Sequence, residues 1–82
     1  MPRQLLWHPD AERELLDLPH WRDSEALATA AQWLAERDIG FVRRVAQEAA
    51  ADELRLYVGK YYMRIAMTEA EVSVLRVVRW RT

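Results

Sequence analysis

The sequence contains no cysteine, only two glycines and only three prolines among its 82 residues. Without cysteine, a disulfide framework and a thiolate metal site are both excluded. The small share of glycine and proline, beside 51% hydrophobic and 30% charged residues, excludes a disordered or low-complexity chain. The sequence also lacks an apolar run of membrane-spanning length and the apolar core of a signal peptide. We therefore expect a folded cytoplasmic protein.

The chain predicts a single domain over residues 1–82, and a domain of this size buries only roughly 60–65% of its unfolded surface. Its charge is unevenly divided. Residues 1–53 carry six basic and eleven acidic side chains, whereas residues 54–82 carry six basic and two acidic ones. This asymmetry indicates that the C-terminal part contacts an anion. The alternative, that these cations only solvate one face of a sheet, remains open at this point.

Apolar residues at helical spacing predict two amphipathic helices in the first half of the chain. A short apolar run at 3–7 is typical of a first strand, and Pro9 then opens a helical pattern that Pro19 ends. Ser24 is the predicted N-cap of the second helix and Gly40 its predicted C-cap. The two apolar stripes are Ala11, Leu15 and Leu18, then Leu27, Ala31 and Leu34. We expect these helices to form an antiparallel pair.

From residue 54 onward the apolar period changes from helical to two, which predicts strands. Gly59-Lys60 resembles a two-residue hairpin turn with glycine first, and "VSVLRVV" (72–78) supplies a last, β-branched strand. Residues 41–51 fit either a third short helix or a basic loop. The predicted order is β-α-α-β-β-β, an α+β domain whose helix pair packs on one face of a mainly antiparallel sheet.

This arrangement leaves the other face of the sheet uncovered. Since strand side chains alternate between faces, cations and tyrosines are expected on the open side and apolar residues beneath the helices. The first set is Arg55, Tyr57, Tyr62 and Arg64, and the second is Leu54, Leu56, Met63 and Ile65. Arginines hold phosphate or carboxylate, and tyrosines stack on bases. The open face is therefore the candidate binding surface.

Three segments resemble the RelE/ParE superfamily of toxins from type II toxin–antitoxin systems. "WHPDAERELLDLP" (7–19) is similar to the family's first strand and helix, "ELRLYVGKYYMRIAM" (53–67) to its central hairpin, and "VSVLRVVRWRT" (72–82) to its closing strand. The resemblance implies a small toxin that a cognate antitoxin neutralises. RelE-like members cleave mRNA on the ribosome, whereas ParE-like members poison DNA gyrase. The resemblance leaves open whether this chain is a nuclease, a gyrase inhibitor without catalysis, or a catalytically weakened relative that mainly binds its antitoxin.

Carried over by position, the resemblance places Arg55 and Gly59 on the family's motif. Tyr62 and Trp80 stand where the family has arginines, although Arg64 lies nearby on the same face as Tyr62. The implied catalytic set is Arg55, Lys60, Tyr62, Arg64, Arg79 and Arg81. The candidate nucleic-acid-binding residues are Arg43, Arg44, Tyr57 and Arg76. Trp21, expected in a loop after Pro19, and Trp80, near position 82, are the candidate antitoxin contacts.

Cleavage of RNA by its 2′-hydroxyl needs a base, an acid and stabilisation of a pentacovalent phosphate. Arginines stabilise the phosphate but accept protons poorly. The candidate proton-transfer groups are Tyr57, Tyr61, Tyr62, His8, His20 or groups of the ribosome. No residue pattern predicts a metal site or a glycine-rich phosphate loop, so we expect no cofactor. Trp7 and Trp33 are predicted to pack in the core.

Overall fold

The computed structural model describes residues 2–46 and 53–81, which form two helices and a five-stranded sheet. In chain order the elements are β1 (Gln4–Trp7), α1 (Pro9–Leu16), α2 (Trp21–Arg37), β2 (Val42–Val45), β3 (Glu53–Val58), β4 (Tyr61–Met67) and β5 (Glu71–Arg79). The strands are ordered β1-β5-β4-β3-β2 across the sheet. β1 is parallel to β5, and the other neighbours are antiparallel. The predicted α+β class is confirmed, with one strand more than expected.

That additional strand is β2, which lies in the segment 41–51 where a third helix or a basic loop was expected. Val42–Val45 pairs antiparallel with Glu53–Val58 of β3. Both interpretations are therefore wrong for these four residues, and residues 47–52 of the segment lie outside the described chain. β-Branched valines favour a strand, and pairing satisfies backbone groups of β3 that would otherwise face an open edge. Strand pairing thus decides the structure of Val42–Val45 against the helical pattern predicted for this part of the chain.

The helix boundaries differ from the predicted caps. α1 begins as expected with Pro9, and the Nδ1 of His8 accepts a hydrogen bond from the Asp10 N–H. α2 begins at Trp21 rather than after Ser24, because the Ser24 hydroxyl donates a 2.9 Å hydrogen bond to the Leu15 carbonyl instead of capping its own helix. This bond ties the end of α1 to the first turn of α2.

The C-terminus of α2 is likewise capped by a residue other than the predicted glycine. Asp38 adopts a left-handed conformation, with φ of 56°, and its N–H bonds back to Leu34. Gly40 serves a different purpose, because a Cβ at this position would lie 2.9 Å from Cδ1 of Leu56. Its missing side chain lets the connection to β2 pass closely over the core.

The core lies between the helix pair and one face of the sheet. Its largest fully buried side chains are Leu27, Leu56, Met63, Val72 and Val74. Gly59, with φ of 58°, opens the two-residue turn between Val58 and Tyr61, as the sequence predicts. Trp7 packs against this core as expected. The same prediction is wrong for Trp33, which is half exposed on the outer side of α2.

Glu14 of α1 covers the part of β5 that extends beyond β1. Pairing between β1 and β5 stops at Trp7 and Val74. Further along, the Val77 N–H donates a 3.0 Å hydrogen bond to Glu14 Oε1, and Arg76 grips the same carboxylate with two donors at 2.8 and 2.9 Å. The Arg76 hydrogen bonds, assisted by the Val77 N–H, hold the pKa of Glu14 below its ordinary value of 4.5.

Stability is therefore expected to fall in acid partly through Glu14. A carboxyl whose pKa is lower in the folded state stabilises the fold above its unfolded pKa, and that contribution disappears as pH falls through the folded pKa. Glu14→Gln should show a smaller loss of melting temperature than the native chain between about pH 6 and about pH 3. Glu12→Gln, the same change at an exposed position of α1, should keep the native pH dependence. Identical acid profiles for the native chain and Glu14→Gln would refute this role.

Candidate functional site

Four arginines stand side by side across the uncovered face of the sheet. Strand register places Arg43 opposite Arg55, Arg55 opposite Arg64, and Arg64 opposite Arg76. This arginine row crosses four strands and spans about 15 Å at the usual strand spacing. Like charges directly opposite one another destabilise a sheet. Such a row indicates either a function that needs positive charge or a nearby negative charge that offsets the repulsion between the arginines.

A register shift in β5 brings Arg76 into the arginine row. Val74 is buried beneath the helices, so regular alternation would turn Arg76 toward the same side. However, Ile65 pairs with Val74 while Arg64 pairs with Arg76, which leaves Leu75 as an extra residue in β5. The bulge reverses the alternation, so that Val77 enters the core and Arg76 takes its place in the row, while the Arg76 guanidinium turns to the sheet edge and binds Glu14.

Glu53 compensates the centre of the arginine row. One of its carboxylate oxygens accepts a hydrogen bond from Nε of Arg55, and the other forms an ion pair with Nε of Arg64. Its side chain is only 8% exposed, whereas that of Arg64 is 43% exposed. The hydrogen bond from Arg55 to Glu53 raises the pKa of the Arg55 guanidinium, with a further contribution from Tyr57. Glu53, Arg55 and Arg64 thus form a fixed, charged clamp.

Sequence reasoning did not include Glu53 among the site residues. Its position two residues before Arg55 places both side chains on the same face of β3, and this spacing is the signal that would have found it. Nε of Arg64 is shielded from solvent and finds no hydrogen-bond acceptor of good geometry within residues 2–46 and 53–81. Its contact with Glu53 is ionic, which leaves the exposed end of the Arg64 guanidinium directed to solvent.

An aromatic cluster lies beside the arginine row on the same face and consists of Phe41, Tyr57, Tyr62 and Trp80. Tyr57 is its centre, with ring centroids 5.5 Å from Tyr62, 5.1 Å from Trp80 and 6.2 Å from Phe41. Cζ of Arg55 lies 4.4 Å from the centre of the Tyr62 ring and so joins the cluster to the row. The Trp80 indole donates a 3.2 Å hydrogen bond to the Gly59 carbonyl, which fixes the end of β5 over the hairpin turn.

The open-face prediction for Arg55, Tyr57, Tyr62 and Arg64 is therefore supported by the register. Other predicted site residues lie elsewhere. Alternation places Arg44, opposite Leu54, and Arg79, opposite the buried Tyr61, on the helix side of the sheet.

Lys60 lies in the hairpin turn and lines a cavity with His20 and Trp21 at the start of α2, so it lies outside the open face. The Lys60 carbonyl accepts hydrogen bonds from the N–H groups of Trp80 and Arg81, and the Arg81 guanidinium stacks 4.3 Å from the Trp80 ring centre. Trp21 lies at the start of α2, outside the open face. Arg81 therefore borders the aromatic cluster, whereas Lys60 does not, and both lie outside the arginine row.

Three of the candidate proton-transfer groups lie away from the clamp. His8 and His20 cap α1 and α2, and Tyr61 is buried beneath the helices. Tyr57 and Tyr62 are the candidates that the structure brings to the open face, where Glu53 joins them. The described residues contain no group of three metal-binding side chains. Neither α1 nor α2 is long and apolar enough to cross a membrane.

Comparison with known proteins adds a likeness to solved structures. No family model matches the sequence, and no curated protein matches it. The chain is similar to a chain in the crystal structure of the toxin–antitoxin complex RelBE2 from Mycobacterium tuberculosis. The two are 21% identical, with a TM-score of 0.79 over 96% of this chain and 92% of that one. The fold that the RelE/ParE resemblance implies, two helices on a mainly antiparallel sheet, is thereby confirmed.

Proposed function

We propose that the protein is the toxin of a type II toxin–antitoxin system and that it cleaves mRNA on the ribosome. The observation that carries this proposal is the arginine row beside an aromatic cluster on an uncovered sheet face. Arginines in line across strands suit successive phosphates of a nucleic-acid backbone, and exposed rings suit its unpaired bases. The fold shared with a chain of a toxin–antitoxin complex supports the same class.

Arg64 is the proposed phosphate contact. Within the clamp it is more exposed than Arg55, and Glu53 holds its inner nitrogen so that the outer part of the guanidinium faces solvent. A scissile phosphate bound there would gain a preorganised positive charge where negative charge develops during cleavage. Arg55, fixed between Glu53 and the Tyr62 ring, positions the clamp.

Proton transfer is assigned to Glu53 and the two open-face tyrosines. Glu53 is the carboxylate of the clamp and the proposed base for a ribose 2′-hydroxyl beside a phosphate on Arg64, a role that requires one of its oxygens to exchange an arginine contact for the hydroxyl. Tyr57 or Tyr62 would supply a proton to the leaving oxygen. One carboxylate and two phenols make a sparse acid–base set, so ribosomal groups are proposed to take part, and cleavage of free RNA should be weak.

A second function, inhibition of DNA gyrase without catalysis, is favoured by two observations. Glu53 already occupies the inner side of Arg55 and Arg64, which reduces the charge available to a phosphate. Tyr62 and Trp80 also stand at positions where the family resemblance has arginines. Both observations fit a relative whose open face binds a protein instead of RNA.

The proposed antitoxin contact is the aromatic cluster with Trp80, which is 44% exposed at the hairpin end of the sheet. Aromatic side chains that combine an apolar ring with a polar group are enriched at such interfaces. An antitoxin helix or added strand covering the cluster would block the open face and stabilise this small domain by mass action. Under this proposal, the toxin and its antitoxin both act in the cytoplasm.

Induction of the chain without an antitoxin is expected to arrest bacterial growth and to stop translation before DNA replication. Primer extension should then show mRNA cut within codons on ribosomes, while purified RNA alone is cut weakly. RNA binding should weaken steeply with salt because phosphate contacts release counterions. The measurement is which stops first after induction, the incorporation of labelled amino acids or that of labelled thymidine. The integrity of a chosen mRNA is followed in the same cells.

Other outcomes separate the alternatives. Intact message during growth arrest, with an early SOS response, would exclude the nuclease and favour gyrase as the target. Unimpaired growth in cells that contain soluble, folded chain would refute the toxin proposal itself. Rescue of growth by the product of an adjacent small reading frame would identify the antitoxin.

A further inference from the structure

The outer side of α2 carries an apolar groove that the candidate site does not use. The groove has a volume of about 560 Å³ and is lined by Trp21, Arg22, Glu25, Ala26, Thr29, Ala30 and Trp33. Trp21 is 68% exposed and Trp33 is 49% exposed, so two indoles stand in solvent on one helix. Two exposed tryptophans with small residues between them indicate a surface that another molecule covers.

We propose that α2 pairs antiparallel with α2 of a second copy, so that the chain forms a symmetric homodimer through this groove. The side chains that line the groove are large at its two ends, where the tryptophans lie, and small in the middle, at Ala26, Thr29 and Ala30. Small residues at the middle let two helix backbones approach closely, and an antiparallel twofold arrangement then presents the same surface on each copy.

Charge complementarity selects the register of this pair. Arg22, Thr29 and Glu36 are spaced one heptad apart and therefore share one side of α2. With Thr29 on the twofold axis, Arg22 and Glu36 lie equally far from the axis in opposite directions, about 10 Å each. Arg22 of one copy then faces Glu36 of the other, and symmetry repeats this ion pair. A parallel arrangement would instead place Arg22 against Arg22.

This inference assigns Trp21 to a second copy of the chain rather than to an antitoxin. It is independent of the proposed toxin function, because the groove lies on the helix side of the molecule and the arginine row on the uncovered sheet face. Its test measures the oligomeric state, which growth arrest and RNA cleavage do not report.

The absence of native cysteine allows a direct test on the full 82-residue chain made by chemical synthesis. Thr29→Cys places a thiol on the proposed twofold axis, so mild oxidation should give a species of twice the 9.7 kDa chain mass. Glu69→Cys, at an exposed turn between β4 and β5, controls for collisional disulfides and should cross-link far less. Light scattering on the native chain should report a dimer. A monomer, or equal cross-linking of both variants, would overturn the proposal.

Exchange of the charged pair tests the register. Arg22→Glu and Glu36→Arg should each weaken dimerisation by about tenfold, because each places like charges opposite one another twice. The double variant restores opposite charges and should regain the native dimer within a few fold. Single variants that dimerise normally, or a double variant no better than either single one, would show that α2 does not pair in this way.

Discussion

Replacement of Arg64 by alanine is expected to abolish growth arrest while the protein stays folded. Arg64 lies at the centre of the arginine row, and its outer guanidinium is the proposed contact for the scissile phosphate. Loss of one preorganised charge at a reacting centre typically lowers a rate by about 10²–10³. Survival after induction should therefore rise by a similar order, and cleavage of ribosome-bound mRNA should fall with it.

Stability should change little in this variant. Glu53 keeps its hydrogen bond with Arg55, and removal of Arg64 also relieves the repulsion from Arg55 and Arg76 on either side. For a partly exposed ion pair we expect a change in unfolding free energy within about 1 kcal/mol. Circular dichroism melting checks this expectation. A melting temperature many degrees lower would instead mean that Arg64 is structural.

Two further variants make the result specific. Arg64→Lys keeps the charge but loses the planar guanidinium, so partial activity is expected if bidentate phosphate contact matters. Arg13→Ala removes an exposed arginine from α1, on the helix side, and should leave toxicity unchanged. Full toxicity of a folded Arg64→Ala chain would refute the assigned role of Arg64.

The open face was predictable because it depends on strand alternation alone. Arg55 and Tyr57 occupy alternate positions of one strand, and Tyr62 and Arg64 of the next, so each pair shares a face whatever the rest of the chain does. A two-residue turn at Gly59-Lys60 then fixes the pairing between the two strands. Both pieces of information are local, and local information is what a sequence pattern contains.

The full arginine row was not predictable, because its ends depend on distant pairing. Arg43 joins it only through the pairing of β2 with β3, in a segment whose composition favours a helix. Arg76 joins it only through the bulge at Leu75, which no spacing in "VSVLRVV" indicates. Glu53 was overlooked for a related reason. The division of the chain between residues 53 and 54 counts Glu53 with the acidic half, yet Glu53 is the first residue of β3 and contacts the arginine row.

The largest loss of stability is expected from Leu56→Ala. Leu56 lies between Arg55 and Tyr57 in β3, and its side chain is 1% exposed, on the core face opposite the site. Removal of a buried leucine side chain costs about 3 kcal/mol through lost burial and an unfilled cavity. A chain of this size has a total stability of only roughly 4–12 kcal/mol. The melting temperature should therefore fall by roughly 10–20 °C, as measured by calorimetry.

The same substitution at Leu16 supplies the matched control. Leu16 ends α1 and is 75% exposed, so Leu16→Ala removes identical atoms without opening a cavity and should shift stability by less than about 0.5 kcal/mol. Leu56 anchors the strand that holds Arg55 and Tyr57. Leu56→Ala should therefore lower the fraction of folded chain at 37 °C and weaken growth arrest, and cooling should restore both. Equal melting shifts for Leu56→Ala and Leu16→Ala would show that the core does not lie between β3 and the helices.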